Sequence, residues 1–387
     1  MENFLIPRRF VRIKALQNLY AYTIAQIAHK KGAIDQIKKD FIFDPFLDAP
    51  DQKEPLAKAQ NIAVALFTEA VTAALPAQDF IYADNNKIEQ SVRNHLTDYL
   101  EAVKQAKIRL QNGFSQSKES IYMALVSILL LLVEWYKSAK ETDEPSKSAD
   151  HLLKKQLVKD PLLEALYSNS NWIKSIDKNG ISWAKDQDQI QSWYRQCIEP
   201  AEMPKSYRSD PNNSLKFLEY MLEHIIFQEG PINDFFAMAD LYWDEHKRIV
   251  KKILTWIFTM GAAQSFNAFT LFWDNLAPKW STEATFYTHL LMIVIDNNAR
   301  YEAMIDAKTE KWDSKRILLT DKLILKLALA ELLHFKEIPF KVSINEYIEI
   351  AKWYGTSKSG IFINGVLEGI LNGRNKEKEK PITQLLN

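Results

Sequence analysis

Two short stretches of this chain carry residue types that bind anions. Near the C-terminus it reads Gly355-Thr356-Ser357-Lys358-Ser359-Gly360; near the N-terminus Arg8, Arg9 and Arg12 are followed by Lys14. Glycine, lysine and serine packed together suggest a loop that cradles phosphate. A nucleotide P-loop, however, needs G-x-x-x-x-G-K-[ST] between a strand and a helix, so that successive N–H groups point at the phosphates. Here Lys358-Ser359 is preceded by Gly355 alone, and the residues upstream have helical spacing. The stretch reads instead as a helix ending at a C-cap glycine, Gly355, and a turn into a following helix.

The arginines pose a different problem. They fall in the first turns of a helix that opens near Pro7, a residue suited to the first helical position. Cations at that end oppose the helix macrodipole. The free N–H groups of the same end attract phosphate. An anionic ligand would offset the repulsion, and so would acidic neighbours in the fold; both readings remain open at this level. Arginine binds phosphate bidentately and stacks on bases, which makes RNA a suitable anion. Lys+Arg and Asp+Glu both number 49, so any such attraction must come from a local patch and not from the overall field.

Other chemistry finds little support. The histidines are scattered and none forms H-E-x-x-H; Asp244-Glu245-His246 reads as a charged helix face. Neither G-x-S-x-G nor G-x-G-x-x-G occurs. The single cysteine, Cys197, can form no internal disulfide and points to a reducing compartment. No catalytic residue, metal or cofactor is expected. "MENFLIPRRF" lacks the apolar core of a signal peptide. The uncharged run Ile121–Val133 is too short to span a bilayer, and Ile253–Trp273 is interrupted by polar residues. The expected location is cytoplasmic.

The elements that must position these residues read as all-α. Only ten glycines occur, and Gly355, Gly360, Gly365, Gly369 and Gly373 crowd the end. Long stretches of Ala, Leu, Lys, Glu and Gln have helical spacing, with no run of alternating β-branched residues. In the first helix Ile13, Leu16, Tyr20, Ile24 and Ile27 form one stripe. Further helices are expected near 58–75, 86–111, 117–140, 151–168, 214–228, 232–272 and 320–335, with linkers at 141–150 and 199–214. Ser343-Ile344-Asn345-Glu346 has the form of a capping box, in which serine and glutamate satisfy each other's orphan N–H groups. Ile344, Tyr347, Ile348 and Ala351 then share a face, and Phe362, Val366, Leu367 and Ile370 mark a final helix.

With both ends read, the chain resembles the transcription antitermination factor NusB family. "RRFVRIKALQNLYAY" is similar to that family's arginine-rich first helix. "IPFKVSINEYIEIAKWYGT" and "SGIFINGVL" are close to its C-terminal signature in residues and spacing. The resemblance covers roughly 6–30 and 286–372, so the chain looks like a long form. It divides into a first part at 1–40, a helical insertion at 41–285, a C-terminal helical subdomain at 286–373 and a polar tail at 374–387. The resemblance implies a non-enzymatic, all-helical bundle of two subdomains. Such a protein binds boxA-type single-stranded RNA of ribosomal RNA leaders with the ribosomal protein NusE, as part of the RNA polymerase antitermination complex.

Carried over by position, Arg8, Arg9 and Arg12, with Lys14 and Gln17, would contact RNA. Tyr20 would face the partner. Phe362 would stack on a base beside Asn364, with Lys358 adding a phosphate contact. Two positions depart from the family pattern: Thr288 stands where short members tend to carry arginine, and Ile361 where a basic residue is common. The alternatives are a methyltransferase-associated protein with a NusB-like domain, or an interaction scaffold that has lost RNA binding.

Overall fold

The structure, a computed structural model, describes residues 6–83, 85–141, 152–169, 176, 180–201, 214–263, 268–309 and 317–376, and within these gives no side-chain account of 260–278 or 372–376. The tail from 377 and most of both expected linkers lie outside the described residues. Among the described residues there are helices and turns and no strand. α1 spans Arg8–Asp40, α2 Lys53–Thr72 and α3 Asn86–Glu141. There follow α4 Leu152–Lys159, α5 Pro161–Ser168, α6 Gln187–Trp193, α7 Ser214–Tyr220, α8 Pro231–Ala239 and α9 Trp243–Ala263. The series ends with α10 Ala268–Asp296, α11 Asn298–Thr309, α12 Leu319–His334, α13 Phe340–Tyr354 and α14 Ser359–Lys376.

The chain forms two compact units. One comprises Met1–Phe10 and Ser115–Thr285, the other Val11–Phe114 and Phe286–Asn387. Residues 41–114, grouped by the sequence with the long insertion, therefore fold with the C-terminal helices.

In the second unit, Ile37 of α1, Phe41 just beyond its end, Phe67 of α2 and Ile88, Val92 and Leu96 of α3 close a small core, all 5% exposed or less. α2 ends in a Schellman turn: Leu75 N–H reaches Ala70 O at 2.9 Å and Ala74 N–H reaches Val71 O at 3.2 Å. Ala74 takes the left-handed position with φ 51°, where glycine is the usual residue. The hairpin α13–α14 packs on α12, whose Leu323, Ile324, Leu325, Leu327, Ala328 and Leu329 are all buried.

In the first unit, Ile121, Leu125, Val126, Ile128, Leu129, Leu131 and Leu132 of α3 are fully buried. α3 is long and apolar enough to cross a membrane, and the protein's own core takes up this stretch of it. The Trp183 indole donates to Ser127 O at 2.9 Å, holding the segment ahead of α6 against α3.

Four local expectations change. The helices expected at 86–111 and 117–140 are one helix, because Gly113 does not break it. A Cβ at Gly113 would lie 2.5 Å from the Asn18 side chain, so the missing side chain lets α1 and α3 approach. The segment 151–168 is two helices. Asp160, just ahead of Pro161, N-caps α5 by accepting from Leu162 N and Leu163 N, both at 3.0 Å. Ser343 caps nothing, since α13 already begins at Phe340 behind Pro339. Finally, the stripe on α1 splits. Ile13 and Leu16 are buried, whereas Tyr20, Ile24 and Ile27 are 41%, 41% and 56% exposed.

Candidate nucleic-acid interface

The N-terminal basic residues take two different environments. Arg8 and Arg9 belong to the first unit and are half-buried. Arg8 Nε lies 3.5 Å from Glu283 Oε1 of α10. In the same unit Phe10 is 4% exposed and meets the rings of His246 and Trp280 edge-on. The first turn of α1 is thus held by α9 and α10, and a carboxylate offsets part of the repulsion between its arginines and the helix dipole.

Arg12 and Lys14 belong to the second unit, where they are 2% and 0% exposed. The Arg12 guanidinium donates to both oxygens of Glu331 on α12, from Nε at 2.8 Å and from Nη2 at 2.7 Å. Ser343 Oγ donates to Glu331 Oε1 at 2.5 Å and Tyr347 Oη to Glu331 Oε2 at 2.9 Å. Glu346 stands 3.8 Å from Arg12 Nη1, and the Phe286 and Tyr347 rings flank the guanidinium at 5.8 and 5.9 Å. Burial by itself lowers the Arg12 pKa, but the Glu331 hydrogen bond and the surrounding groups leave it raised. Burial, then the Glu331 charge, lift Tyr347 well above the usual tyrosine range. Arg12 is therefore a core residue joining α1, α12 and α13. The expectation that Arg12 and Lys14 touch RNA gives way to their burial. The serine and glutamate of the apparent capping box serve this cluster instead.

The C-terminal turn is built around one hydroxyl. Ser359 Oγ accepts from Thr356 N–H at 2.8 Å and donates to Asp321 Oδ2 at 3.0 Å. Ser359 N–H is taken by Thr356 O at 3.0 Å, and Gly355 N–H by Ala351 O at 2.9 Å. The Gly355, Thr356 and Ser359 amides, three of those a nucleotide phosphate would need, are thus already taken up. Gly355 is extended (φ −107°, ψ −161°) and uses no left-handed conformation. What it supplies is space, since a Cβ there would come within 2.4 Å of the Ser359 side chain.

This packing leaves Lys358 exposed, with no ion-pair partner among the described residues. Phe362 is half-buried, one position before the fully buried Ile363. Asn364 Nδ2 donates to Glu368 Oε1 at 3.0 Å along α14. From α1, Gln17 Nε2 donates to Tyr354 Oη at 3.3 Å, while its Oε1 is buried without a hydrogen-bond partner. The structure thus brings Gln17 to the end of α13, immediately before the turn that bears Lys358. Tyr354 and its neighbour Trp353, 48% exposed, were missed by the sequence reading. The available signal was an aromatic pair directly ahead of a cap glycine. Thr288 is half-buried, and His289 beside it is exposed with its ring 5.2 Å from that of Phe335.

Comparison with known proteins fits this arrangement. Residues 262–372 match the sequence model of the NusB family. The transcription antitermination protein NusB of Bacillus mycoides (strain KBAB4) is 39% identical over 105 residues, which cover 25% of this chain and 81% of that protein. The chain belongs to the NusB family. The NusB protein of Thermodesulfovibrio yellowstonii is 31% identical over 149 residues, 38% of this chain and 95% of its own length. That of Salinibacter ruber is 41% identical over 86 residues, but the match spans only about half of it, 54%. No solved structure gives a significant match. The NusB family model covers α12 and α13 entire and α14 as far as residue 372, with Glu331, Ser343, Tyr347 and the Lys358 turn among the matched residues.

Proposed function

We propose that this chain is a non-enzymatic transcription antitermination factor that binds boxA-type single-stranded RNA of ribosomal RNA leaders together with the ribosomal protein NusE. Family membership is the observation that carries the reading. Arg8, Arg9 and Lys358 would meet phosphates, Phe362 would stack on a base, and Gln17 and Asn364 would offer hydrogen bonds. Tyr20, exposed on α1, would belong to the partner surface. Residues 115–285 are proposed as the insertion specific to the long form. With Arg12 and Lys14 withdrawn into the core, few cations remain for RNA, and a partner would supply part of the affinity.

A second reading is favoured by one observation. Arg8 faces a carboxylate and two more basic residues of the motif are buried, as suits a scaffold that no longer binds RNA. Titration of labelled boxA-type RNA with the full chain, with and without NusE, at several salt concentrations separates the two. Antitermination predicts binding that tightens with NusE and weakens linearly in log–log salt. Absence of binding under both conditions leaves the scaffold reading.

A further inference from the structure

Two stretches of the second unit that pack together carry no carboxylate. Residues 11–34 of α1 contain neither aspartate nor glutamate, and nor do 102–114 of α3, in a chain whose acids and bases both number 49. The two helices run antiparallel. Asn18 of α1 abuts Gly113 of α3, and further along Asp40 accepts from Ser91 Oγ at 2.7 Å and meets His95 Nε2 at 2.9 Å. One turn along each helix from the Asn18–Gly113 contact, Ala21 comes level with Arg109. Both are exposed, and Ala21 offers only a methyl group there. Among the described residues Arg109 has no hydrogen-bond or ion-pair partner, and nor has the exposed Asn112, three positions on. Lys104 differs, since Glu101 stands 3.3 Å from it and also accepts from Gln105 at 2.8 Å. Arg109 thus lies beyond the reach of that acid.

The same level of α1 carries Gln17, which donates to Tyr354 Oη just ahead of the Lys358 turn. Adjacent helical residues project about 100° apart, so Gln17 turns to the end of α13 while Asn18 turns to α3. At one level α1 is therefore flanked by two elements, each bearing an unpaired cation: Lys358 and Arg109. A guanidinium binds phosphate through paired N–H groups and stacks on bases, and a carboxamide offers both a donor and an acceptor to a base edge. That combination without a carboxylate suits a single-stranded polyanion. It also answers the shortage left by the burial of Arg12 and Lys14, from a helix that the NusB family model does not cover.

We infer that Arg109, with Asn112 beside it, is a further RNA-binding site, which takes a phosphate and leads the strand across α1 from the Lys358 turn. This rests on the RNA-binding reading above.

The test uses the full chain and its Arg109→Gln, Arg109→Lys, Lys358→Ala and Lys58→Gln variants. Lys58, exposed on α2, serves as a control that removes one charge from the same unit. The probe is a labelled boxA-type RNA titrated over a salt series, without and with NusE, and every variant is melted alongside. Arg109→Gln should bind several-fold more weakly, with a log–log salt slope flatter by about 0.7, the value of one single-strand phosphate contact. Arg109→Lys, which keeps the charge, should retain the slope, and Lys58→Gln should match the wild type. The unaltered chain gives a check that needs no variant to fold: the RNA should protect Arg109 from phenylglyoxal, read by mass spectrometry.

If Arg109→Gln and Lys58→Gln weaken binding alike, general charge and not a contact is responsible, and the proposal is overturned. If Lys358→Ala weakens binding while Arg109→Gln keeps wild-type affinity and slope, RNA binding stands and the Arg109 site is rejected. If Arg109→Gln lowers affinity for NusE and leaves RNA binding without NusE unchanged, the surface is a protein interface and the proposal is again overturned. If no form of the chain binds the RNA, the RNA reading fails and the Arg109 site falls with it.

Discussion

Glu331 accepts from Arg12 on both of its oxygens, and the hydroxyls of Ser343 and Tyr347 complete its shell. All four residues are 2% exposed or less. Removing one member of such a pair strands the other as a buried charge. Arg12→Ala or Glu331→Ala should therefore lose about 3–5 kcal/mol of stability in urea denaturation. Tyr347→Phe removes a single hydrogen bond to the carboxylate and should lose about 1.5–3 kcal/mol. A loss of less than about 1 kcal/mol in Arg12→Ala would contradict the core role given to it.

The exposed Lys358 should behave in the opposite way. Lys358→Ala should leave the melting temperature nearly unchanged while weakening RNA binding. The lost phosphate contact should flatten the salt dependence by about 0.7 in log–log slope. Equal affinity of the variant and the wild type would remove Lys358 from the proposed interface.

Asp160 offers a pH signature. It is fully buried, caps α5 and accepts from Ser214 Oγ at 2.6 Å. Burial raises its pKa above the ordinary 3.8, and the hydrogen bonds from Ser214 and the Leu163 and Leu162 amides offset part of the shift. The folded state thus holds the proton more tightly than the unfolded chain. This group's contribution is full below the unfolded pKa and declines as pH rises through the folded one. Asp160→Asn should flatten that decline when unfolding free energy is measured from pH 3.8 upward. Asp160→Ala should lose about 1–2 kcal/mol with the cap. A wild-type profile no steeper than that of the Asn variant would refute the assignment.

Two backbone positions predict opposite outcomes. Ala74 holds φ 51° in the Schellman turn after α2, so Ala74→Gly should stabilise the protein by about 1 kcal/mol. Gly355 is in an ordinary extended conformation, yet Gly355→Ala should destabilise by about 1–3 kcal/mol because the added methyl meets Ser359. Thermal melting of the two variants checks both signs.

The helical class and the last three helices were legible because their apolar periodicity and their breaks are local. The roles of the three arginines were not, because they look alike until a distant carboxylate sorts them. One signal was present: Arg12 lies at i, i+3, i+4, i+7 spacing with Ala15, Leu16 and Leu19, all buried. Ser343 and Glu346 have capping-box spacing, but Pro339 starts the helix one turn earlier, so Ser343 turns to Glu331 and Glu346 to Arg12. The separate helices expected at 86–111 and 117–140 are one, and Gly113 between them packs on Asn18, a neighbour far away in sequence. At the candidate site, Lys358 and Phe362 could be placed from sequence because both lie at a turn that Gly355 marks. The Gln17–Tyr354 contact needed the fold, as it joins residues 337 positions apart.

The Arg12–Glu331 bond spans 319 positions, which orders events on the ribosome. The first helix emerges with its guanidinium waiting, and the matching carboxylate is made 319 residues later. At roughly 5–20 residues per second the interval is tens of seconds. Throughout it, α1 lacks the carboxylate against which it will finally close. A nascent chain stalled or cleaved before α12 would expose that helix, giving quality control a clear mark by which to tell an unfinished product from a finished one.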